Sequence, residues 1–513
     1  MENQNQFNGL DTFEHVVVLM LENRSFDNLL GYLYAKGEVP AGKTFEGLNT
    51  GNYSNPVPPR ADGYNEHPTI ATSRATDYSV PFPDPGEEYQ HVNTQLFNQI
   101  IPDSNLGVEQ QNMVFPFNLP TPVPSPTMNG FINDYESNLR ATYADGSVPT
   151  YDEYKGIMEC FQPDQIPAMT TLAKQFAVFD HWFCSVPSQT YCNRAFWHAA
   201  SSAGKVINPL EEDGSGFPGI DGDVKGMASW MKDVWPLPTL FDRMSEKDIS
   251  WKVYAPIYPL SLTEIIHGYS LKHPFHTHEY SRFAEDLQNG TLPQYSFVEP
   301  QFLFKHNDQH PSAYKHELAL GTVYLGEELI LEVYNAIKNS AYRDKILFII
   351  THDEHGGCYD HFPPPSGAVP PVPGMVGQCN FGFDRLGVRV PMIMMSSYIQ
   401  PNTIINEQFD HTSFIKTMCQ KWNLDGLTDR DAAAQPFTSV FSQQKCNDWH
   451  EIQLAAVPLT NVETNQSDDP LNGLQKAMLT GLLHMEKVKG LGNTASSDIK
   501  TIGDMMEFIK RFG

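Results

Sequence analysis

Runs of apolar residues that end at clusters of polar side chains are the main pattern of this chain. His15–Leu21 and residues 345–350 are unbroken apolar runs of the length expected for buried strands. Residues 316–339 carry apolar side chains at helical spacing just before the second run, and a further buried strand is predicted within 388–399. A helix that packs between two such strands gives a βαβ-like unit, so the pattern predicts an α/β fold.

Oxygen-bearing side chains follow the first apolar run. Glu22 and Asn23 come directly after Leu21, and a helical pattern begins at Phe26. Ligands of open α/β sheets bind at the carboxyl ends of the strands, so the pair stands where such folds place their chemistry. Asn is also a common helix cap, and this segment alone leaves both interpretations open.

A denser polar cluster follows the second run. Asp353 and Glu354 stand there among three histidines. Neighbouring carboxylates repel each other unless a cation lies between them. Carboxylate and imidazole groups suit zinc, manganese or calcium, so the cluster predicts a divalent cation site, with a solvated acidic turn as the alternative.

A third segment offers a nucleophile. Thr190 follows a turn at 187–189 and precedes a helix predicted at about 193–203. A hydroxyl at the mouth of a helix lies in the positive field of the helix dipole, and a bound metal would lower its pKa further. Asn193 and Arg194 follow at a spacing that allows a hydrogen bond to a phosphate oxygen. The alternative is a capping threonine with a structural arginine.

Composition narrows the range of functions. The chain has 61 acidic and 34 basic residues and a formal net charge of −27. It therefore lacks the basic surface that nucleic-acid binding requires, and anionic membranes repel it, whereas zwitterionic lipid does not. Seven cysteines without a C-x-x-C pair predict neither a zinc finger nor a dense disulfide framework.

Targeting signals are not visible in the sequence. No apolar run reaches the ~18 residues of a membrane-spanning helix. The first residues show neither the basic start nor the apolar core of a cleavable signal peptide. We therefore expect a protein that is secreted without a classical signal peptide, or one that is cytoplasmic.

The chain divides into a catalytic region, residues 1–440, and a C-terminal region, residues 441–513. Pro-, Gly- and Asn-rich segments between residues 34 and 150 predict long loops. The C-terminal region is predicted to hold a polar linker and two amphipathic helices, at 461–470, about 471–487 and about 496–511. These helices would dock on the catalytic region, pair in a homo-oligomer or make transient contact with a membrane surface. Docking is favoured because amphipathic helices usually face a core.

Three long motifs resemble one family. ENRSFDNLLGYL at 22–33, SVPSQTYCNR at 185–194 and DEHGGCYDHFPPP at 353–365 are similar, in this order, to segments of the phosphoesterase family of bacterial phospholipases C. That family also includes an acid phosphatase and the plant non-specific phospholipases C, and the resemblance spans about residues 14–421. It implies an alkaline-phosphatase-like α/β fold with a mostly parallel central sheet flanked by helices, long loop insertions and a small helical C-terminal extension.

The resemblance also implies a metal centre and a nucleophile. Glu22, Asn23, Asp353 and Glu354 match the family's metal ligands, and Thr190 matches its nucleophile, which also contacts the metal. Ser188 is a second candidate for the nucleophile, but its spacing to the following Asn-Arg pair does not match. We expect one divalent ion, because no further Asp/His set is recognisable, and zinc, calcium and manganese all suit these ligands.

Histidines are expected around the phosphate. The resemblance places His310 near it, and His276 and His278 are expected to make further contacts. His355, within the third motif, is expected to bind substrate. Proton transfer to the leaving alcohol is assigned to this group, since histidine titrates near neutral pH.

One departure from the family concerns residue 87. Many relatives read Asp-Pro-Gly-His where this chain has Glu87. His91 would share a helical face with residue 87 and take over its phosphate contact if the segment were helical. Glu87 is then expected either at the substrate or at a second or different metal.

Three functions compete on these residues. The first is a phospholipase C that cleaves phosphatidylcholine-type lipids to diacylglycerol and a phospho-alcohol through a phosphothreonine intermediate. The second is a broad-specificity acid phosphatase acting on soluble phosphomonoesters. The third is a non-catalytic binding protein on the same fold, against which the complete set of site residues counts.

Overall fold

A central sheet organises the computed structural model, which describes residues 8–511 except 110–111, 144–145, 210–225, 304, 312–321, 455–465, 470, 472 and 493. Parts of the predicted linker at 461–470 and of the predicted helix at 316–339 therefore lie outside the described residues. The sheet has eight strands. In spatial order they are β13 (Thr403–Ile405), β6 (Ala177–Phe179), β12 (Met392–Met395), β11 (Ile346–His352), β1 (His15–Leu21), β10 (Tyr295–Val298), β8 (Trp251–Ala255) and β9 (Thr277–Glu279).

Most strand pairs of this sheet are parallel. Only β12 runs antiparallel to its two neighbours, β11 and β6. The predicted α/β fold with a mostly parallel sheet is therefore confirmed. Six short strands form pairs outside the sheet: β2 (Ser54–Pro56), β3 (Thr69–Ala71), β4 (Ser73–Arg74), β5 (Glu159–Cys160), β7 (Trp182–Phe183) and β14 (Phe409–Asp410).

Helices surround the sheet and fill the segments between its strands. In chain order those of the described residues are α1 (Phe26–Leu30), α2 (Tyr89–Phe97), α3 (Phe131–Thr142), α4 (Tyr151–Tyr154), α5 (Pro167–Gln175), α6 (Thr190–Ala199), α7 (Gly226–Asp233), α8 (Leu240–Glu246), α9 (Leu262–His267), α10 (Ser281–Asn289), α11 (Thr322–Lys338), α12 (His411–Trp422), α13 (Asp429–Ala433), α14 (Gly473–Lys489) and α15 (Ile502–Lys510). None of them is both long and apolar enough to cross a lipid bilayer.

The strands that carry the site have nearly the predicted bounds. β1 has the predicted bounds, and β11 runs two residues beyond the predicted run, so that His352 belongs to the strand. The two strands pair in parallel, with Leu21 opposite His352. Both are covered on their two faces and almost completely buried, as continuous apolar runs require.

A buried ion network fixes the segment that follows β11. Arg389 donates hydrogen bonds to Asp27 of α1 and to Asp360, each at 3.0 Å. The ring of His361 contacts Asp27 through Nδ1 and Glu46 through Nε2, at 2.5 and 3.1 Å. Three of these charged groups are fully buried, and their mutual pairing makes that burial tolerable. The network therefore ties the exit of β11 to the exit of β1.

The C-terminal helices pack on the catalytic region. Met478 of α14 and Met505 of α15 belong to the same hydrophobic cluster as Tyr191 of α6, Trp230 of α7 and Ile265 of α9. The favoured prediction, docking, agrees with these contacts. The second helix begins at Ile502, later than predicted, because the Thr501 side chain caps it by accepting a hydrogen bond from the Asp504 N–H.

We predict that truncating the α14 core destabilises the whole protein. Met478 is fully buried, so Met478→Ala should lower the free energy of unfolding by about 2–5 kcal/mol. Leu491→Ala is the control; its side chain is 59% exposed and the expected change is within about 0.5 kcal/mol. Urea unfolding measures both, and equal stability of the two variants would contradict a shared core.

The ion network predicts a loss of stability at alkaline pH. Burial alone would lower the pKa of His361, but Asp27 and Glu46 raise it from 6.5 to about 9. Because folding raises the pKa of His361, the protonated ring stabilises the folded protein, and this contribution is complete below about pH 6.5. The contribution, on the order of 3 kcal/mol, is lost as the pH rises through about 9. Wild type and His361→Gln should thus converge in unfolding free energy between pH 6.5 and 9.5. A constant difference would show that the His361 charge does not stabilise the fold.

Candidate active site

The parallel pairing of β1 and β11 brings two acidic segments side by side. Glu22 and Asn23 leave β1 next to Asp353 and Glu354, which leave β11. The Asp353 carboxylate accepts hydrogen bonds from the N–H groups of Asn23 and Glu354, at 3.1 and 2.8 Å. At Gly356, whose φ is +60°, a Cβ atom would stand 2.1 Å from the Asn23 carbonyl oxygen. The glycine therefore allows the close approach of the two segments.

Thr190 faces Glu22 and Asn23. Its Oγ donates toward Glu22 Oε2 at 3.2 Å and lies 3.4 Å from Asn23 Oδ1. Thr190 is the first residue of α6, which starts three residues before the predicted helix, and Gln189 is its N-cap. The Thr190 side chain therefore points into the site and does not cap the helix, which removes the capping alternative for this residue.

Arg194 lies one turn further along α6 and on the same face. Its guanidinium donates to Glu22 and stands 3.4 Å from Asp353 Oδ2. Burial lowers the pKa of Arg194, but the charges of Glu22 and Asp353 outweigh it and raise the pKa. Nη1 is buried and makes no hydrogen bond within the described part of the chain, so it is available to donate a hydrogen bond to an anionic oxygen.

Negative charge exceeds positive charge at the centre of the site. Burial raises the pKa of Glu22 well above its usual value. The charge of Arg194 opposes this shift, and the charge of Asp353 adds to it. Burial and the charge of Asp353 likewise raise the pKa of Glu354 well above its usual value. Asp353 Oδ2 and Glu354 Oε1 are buried and accept no hydrogen bond from any described residue. Buried carboxylate oxygens in this condition fit a divalent cation, and the oxygen-rich set suits calcium, manganese or zinc.

Two polar residues near the nucleophile do not face the site. Asn193, expected to bind substrate, donates to the Ser188 carbonyl at 2.7 Å and accepts from the Val186 N–H at 3.0 Å. It therefore braces the turn before Thr190. The Ser188 hydroxyl donates to the Val206 carbonyl, which leaves Thr190 as the nucleophile candidate.

Glu87 enters the site, and His91 does not replace it. Asn23 Nδ2 donates to Glu87 Oε2, whereas Asn23 Oδ1 faces Thr190. Because α2 begins at Tyr89, residue 87 precedes the helix and shares no helical face with His91. The His91 ring is instead paired with Asp134 at 2.8 Å. The structure therefore does not relate His91 to residue 87 through a shared helical face.

The other expected histidines have different positions. His310 lies near the site, with Nε2 4.0 Å from Glu87 Oε2. His276 stacks on Trp251 and His278 lies on β9, three strands from β1 and thus roughly 14 Å away at the usual strand spacing. The structure does not bring these two residues to the site.

His355 is buried beneath the acidic pair. Its Nε2 donates to Gln95 Oε1 at 2.7 Å, and its Nδ1 lies 3.4 Å from Glu354 Oε2. Burial lowers the pKa of the ring to about 3, so the imidazole is neutral. Its Nδ1 makes no hydrogen bond with the described residues, and the ring is held in place by Gln95.

Sequence reasoning missed a residue that positions Asp353. His411, the first residue of α12, donates from Nε2 to the Asp353 carbonyl at 2.6 Å, and its Nδ1 accepts from Trp182. The sequence feature that marks His411 is its position directly after Asp410, at a helix start. It lies within the segment DHTSFIKTM at 410–418, which also resembles the family. Its role depends on a contact between segments 58 residues apart, which spacing does not show.

Comparisons with known proteins identify the family of this chain. The family described as the Phosphoesterase family matches residues 13–425. Non-specific phospholipase C6 of Arabidopsis thaliana is 33% identical over 452 residues, which cover 83% of this chain and 72% of that protein. Phospholipase C B of Mycobacterium tuberculosis (strain ATCC 25618 / H37Rv) is 25% identical over 468 residues, covering 84% and 78%.

Solved structures that resemble the chain include a protein in the alkaline phosphatase superfamily from Vibrio parahaemolyticus. It has a TM-score of 0.32 and 12% sequence identity, and the match covers 65% of this chain and 84% of that one. The family match extends over most of the chain. The chain therefore belongs to the Phosphoesterase family and is homologous to plant and bacterial phospholipases C.

Proposed function

We propose that this protein is a metal-dependent phospholipase C that forms a phosphothreonine intermediate on Thr190. The observation that carries the proposal is the Thr190 hydroxyl, buried at the start of α6 and 3.2 Å from Glu22 and 3.4 Å from Asn23. Its proton points to Glu22, which leaves a lone pair of Oγ free to attack phosphorus. The dipole of α6 favours the negative charge that develops on this oxygen.

Five side chains would hold the metal ion: Glu22, Asn23, Thr190, Asp353 and Glu354. The unbonded oxygens of Asp353 and Glu354 support this assignment, because each lacks a hydrogen-bond donor among the described residues. When bound, such an ion lowers the pKa of a neighbouring hydroxyl and polarises a phosphoryl oxygen.

Arg194 orients the phosphate. Its guanidinium is held by Glu22 and Asp353, so it is fixed before substrate arrives. Nη1 then donates to a phosphoryl oxygen as a charge-assisted hydrogen bond. Attack forms the bond from Thr190 Oγ to phosphorus as the hydroxyl proton passes to Glu22, and the bond to the alcohol breaks as the alcohol oxygen takes up a proton from water. Water then hydrolyses the phosphothreonine and releases the phosphorylated head group.

The substrate class is proposed from the relatives and from the charge of the chain. The plant and mycobacterial relatives are named phospholipases C. A net charge of −27 disfavours anionic lipid surfaces, so zwitterionic lipid of the phosphatidylcholine type is the proposed substrate. A cavity of about 540 Å³ starts at Tyr89, two residues after Glu87, and its walls include Phe97, Phe381 and several prolines. The wall also carries the charged residues Asp384 and Arg385, so the cavity is of mixed polarity.

We predict that Thr190→Ala loses turnover, by about a thousandfold or more, because no neighbouring hydroxyl can replace the nucleophile. Thr190→Ser should keep measurable activity. Ser188→Ala, which removes the other hydroxyl of the same turn, is the matched control and should keep most of the activity. Turnover of phosphatidylcholine and thermal unfolding are measured for all three. Full activity of a folded Thr190→Ala variant would exclude this mechanism.

Substrate preference separates the phospholipase from the phosphatase. We expect hydrolysis of phosphatidylcholine and p-nitrophenyl phosphorylcholine, little action on p-nitrophenyl phosphate, and loss of activity after chelation with recovery on adding zinc, manganese or calcium. The reverse preference would assign the protein as an acid phosphatase. Absence of both activities with every metal would favour a binding protein.

A further inference from the structure

A buried arginine lines the cavity of about 540 Å³ that starts at Tyr89. Arg385 is 7% exposed, and its Nη2 donates to Asn93 Oδ1 of α2 at 2.9 Å, with the Tyr89 hydroxyl beside it. Its Nε is buried and makes no hydrogen bond within the described part of the chain. None of the described residues that form the wall belongs to the proposed metal and nucleophile set, so the cavity is separate from the reaction centre.

Other buried arginines of the described structure have more partners. Arg389 donates to two carboxylates and to two backbone carbonyls. Arg430 donates to three backbone carbonyls and lies 3.6 Å from Asp410. Arg385 has no described carboxylate within the 4.0 Å of an ion pair, although the chain carries a net charge of −27. An unpaired buried charge is costly, so this guanidinium indicates a site for an external anion.

The guanidinium of Arg385 is held in place without being neutralised. The rings of Phe97 and Phe381 lie 5.2 and 5.9 Å from its central carbon. Such cation–π contacts orient the group but leave its charge. Burial lowers the pKa of Arg385, and Tyr89 and the charge of Asp384 oppose this shift only in part. The positive charge is therefore fixed in direction before a ligand arrives.

A group of opposite charge belongs to the same cavity. Asp384 also lines it and is exposed, whereas Arg385 is buried. Tyr89, Phe97 and Phe381 give the wall an aromatic surface. Aromatic faces and a carboxylate attract a quaternary ammonium group, and a guanidinium donates charge-assisted hydrogen bonds to a phosphate. The cavity thus offers a position for each end of a zwitterion.

We propose that Arg385 and Asp384 form a second site for the phosphocholine zwitterion, separate from the reaction centre. Arg385 binds the phosphate through Nε, and Asp384 and the aromatic wall receive the trimethylammonium group. The proposal rests on the phospholipase function proposed above, because the head group then reaches this cavity site either as the released phospho-alcohol or as part of an intact lipid. The volume of the cavity lies in the range of small-molecule sites.

Calorimetric titration of phosphocholine into full-length protein loaded with Mn²⁺ counts the sites. We expect two sites in wild type, one at the reaction centre and one in the cavity. Arg385→Met removes the charge and should weaken the cavity site about tenfold or more, the value of a charged hydrogen bond. Asp353→Asn should lose only the site at the reaction centre. Arg74→Met, which removes an exposed arginine paired with Asp164, is the matched control and should keep both.

The two ends of the ligand are tested separately. Inorganic phosphate and choline chloride are titrated into wild type and Arg385→Met, and the difference between the two proteins reports the cavity site. Each should bind this site more weakly than phosphocholine. Asp384→Asn should reduce the affinity for phosphocholine several-fold without reducing that for inorganic phosphate. Equal affinity of the cavity site for phosphate and phosphocholine would overturn the assignment to a zwitterion.

A soluble short-chain lipid, dibutyroylphosphatidylcholine, separates the two sources of the head group. It is titrated into full-length Thr190→Ala, which lacks the proposed nucleophile, and into the double variant with Arg385→Met. Binding that depends on Arg385 identifies a second lipid site. Binding of phosphocholine without binding of this lipid identifies a product site, and either result supports the inference.

The outcomes separate this inference from the proposed function. Phosphocholine binding that is unchanged in Arg385→Met, or absent from wild type, would overturn the cavity site and leave the test of Thr190 unaffected. Continued lipid turnover by Thr190→Ala would reject the nucleophile, and the phosphocholine titration would still decide the cavity site.

A crystallographic measurement covers the case in which the variants fail to fold. Wild-type crystals soaked in phosphocholine should show density for the phosphate beside Arg385 Nε and for the quaternary ammonium group near Asp384. Density at the reaction centre alone, or at neither position, would overturn the inference.

Discussion

The site depends on the parallel pairing of β1 with β11. Because Leu21 pairs with His352, the acidic residues that follow the two strands lie only one strand spacing apart. Such an arrangement is unfavourable by itself, because buried carboxylates repel each other and lose their hydration. The apolar interior of the two strands, almost completely buried, supplies the stability that holds the carboxylates together. The folded sheet therefore holds the carboxylates in an arrangement that favours binding of a cation.

The surrounding elements restrict how the acidic residues can relieve this repulsion. Arg194 and Thr190 lie on one face of α6, so the guanidinium that balances Glu22 also fixes the direction of the nucleophile. His411 holds the Asp353 backbone, and the Arg389 network holds the segment beyond it. Functional sites commonly retain locally unfavourable groups when the rest of the fold determines their positions.

The sequence predicts those parts of the site that depend on local pattern. Apolar runs that end in polar residues identified both strand ends, and the spacing after Thr190 identified Arg194 as a residue that can reach a phosphate oxygen. The errors share a cause: the direction of a side chain depends on contacts made by distant segments. Asn193 turns back to Ser188, His91 turns to Asp134 and His355 lies below Glu354. The meeting of Glu87 and His310 likewise combines segments whose distance along the chain conceals their proximity.

The order of the strands along the chain has a consequence for synthesis of the protein. β1 pairs only with β10 and β11, and the hydrogen bond from Asn23 to Asp353 spans 330 residues. At about 5–20 residues per second, a ribosome needs roughly 15–65 s to supply that partner. During this time the first apolar strand has both edges unpaired, a state prone to aggregation that chaperones can protect. The same delay keeps the nascent chain without an assembled acidic centre until most of it has left the ribosome, so the partly made chain has no complete site.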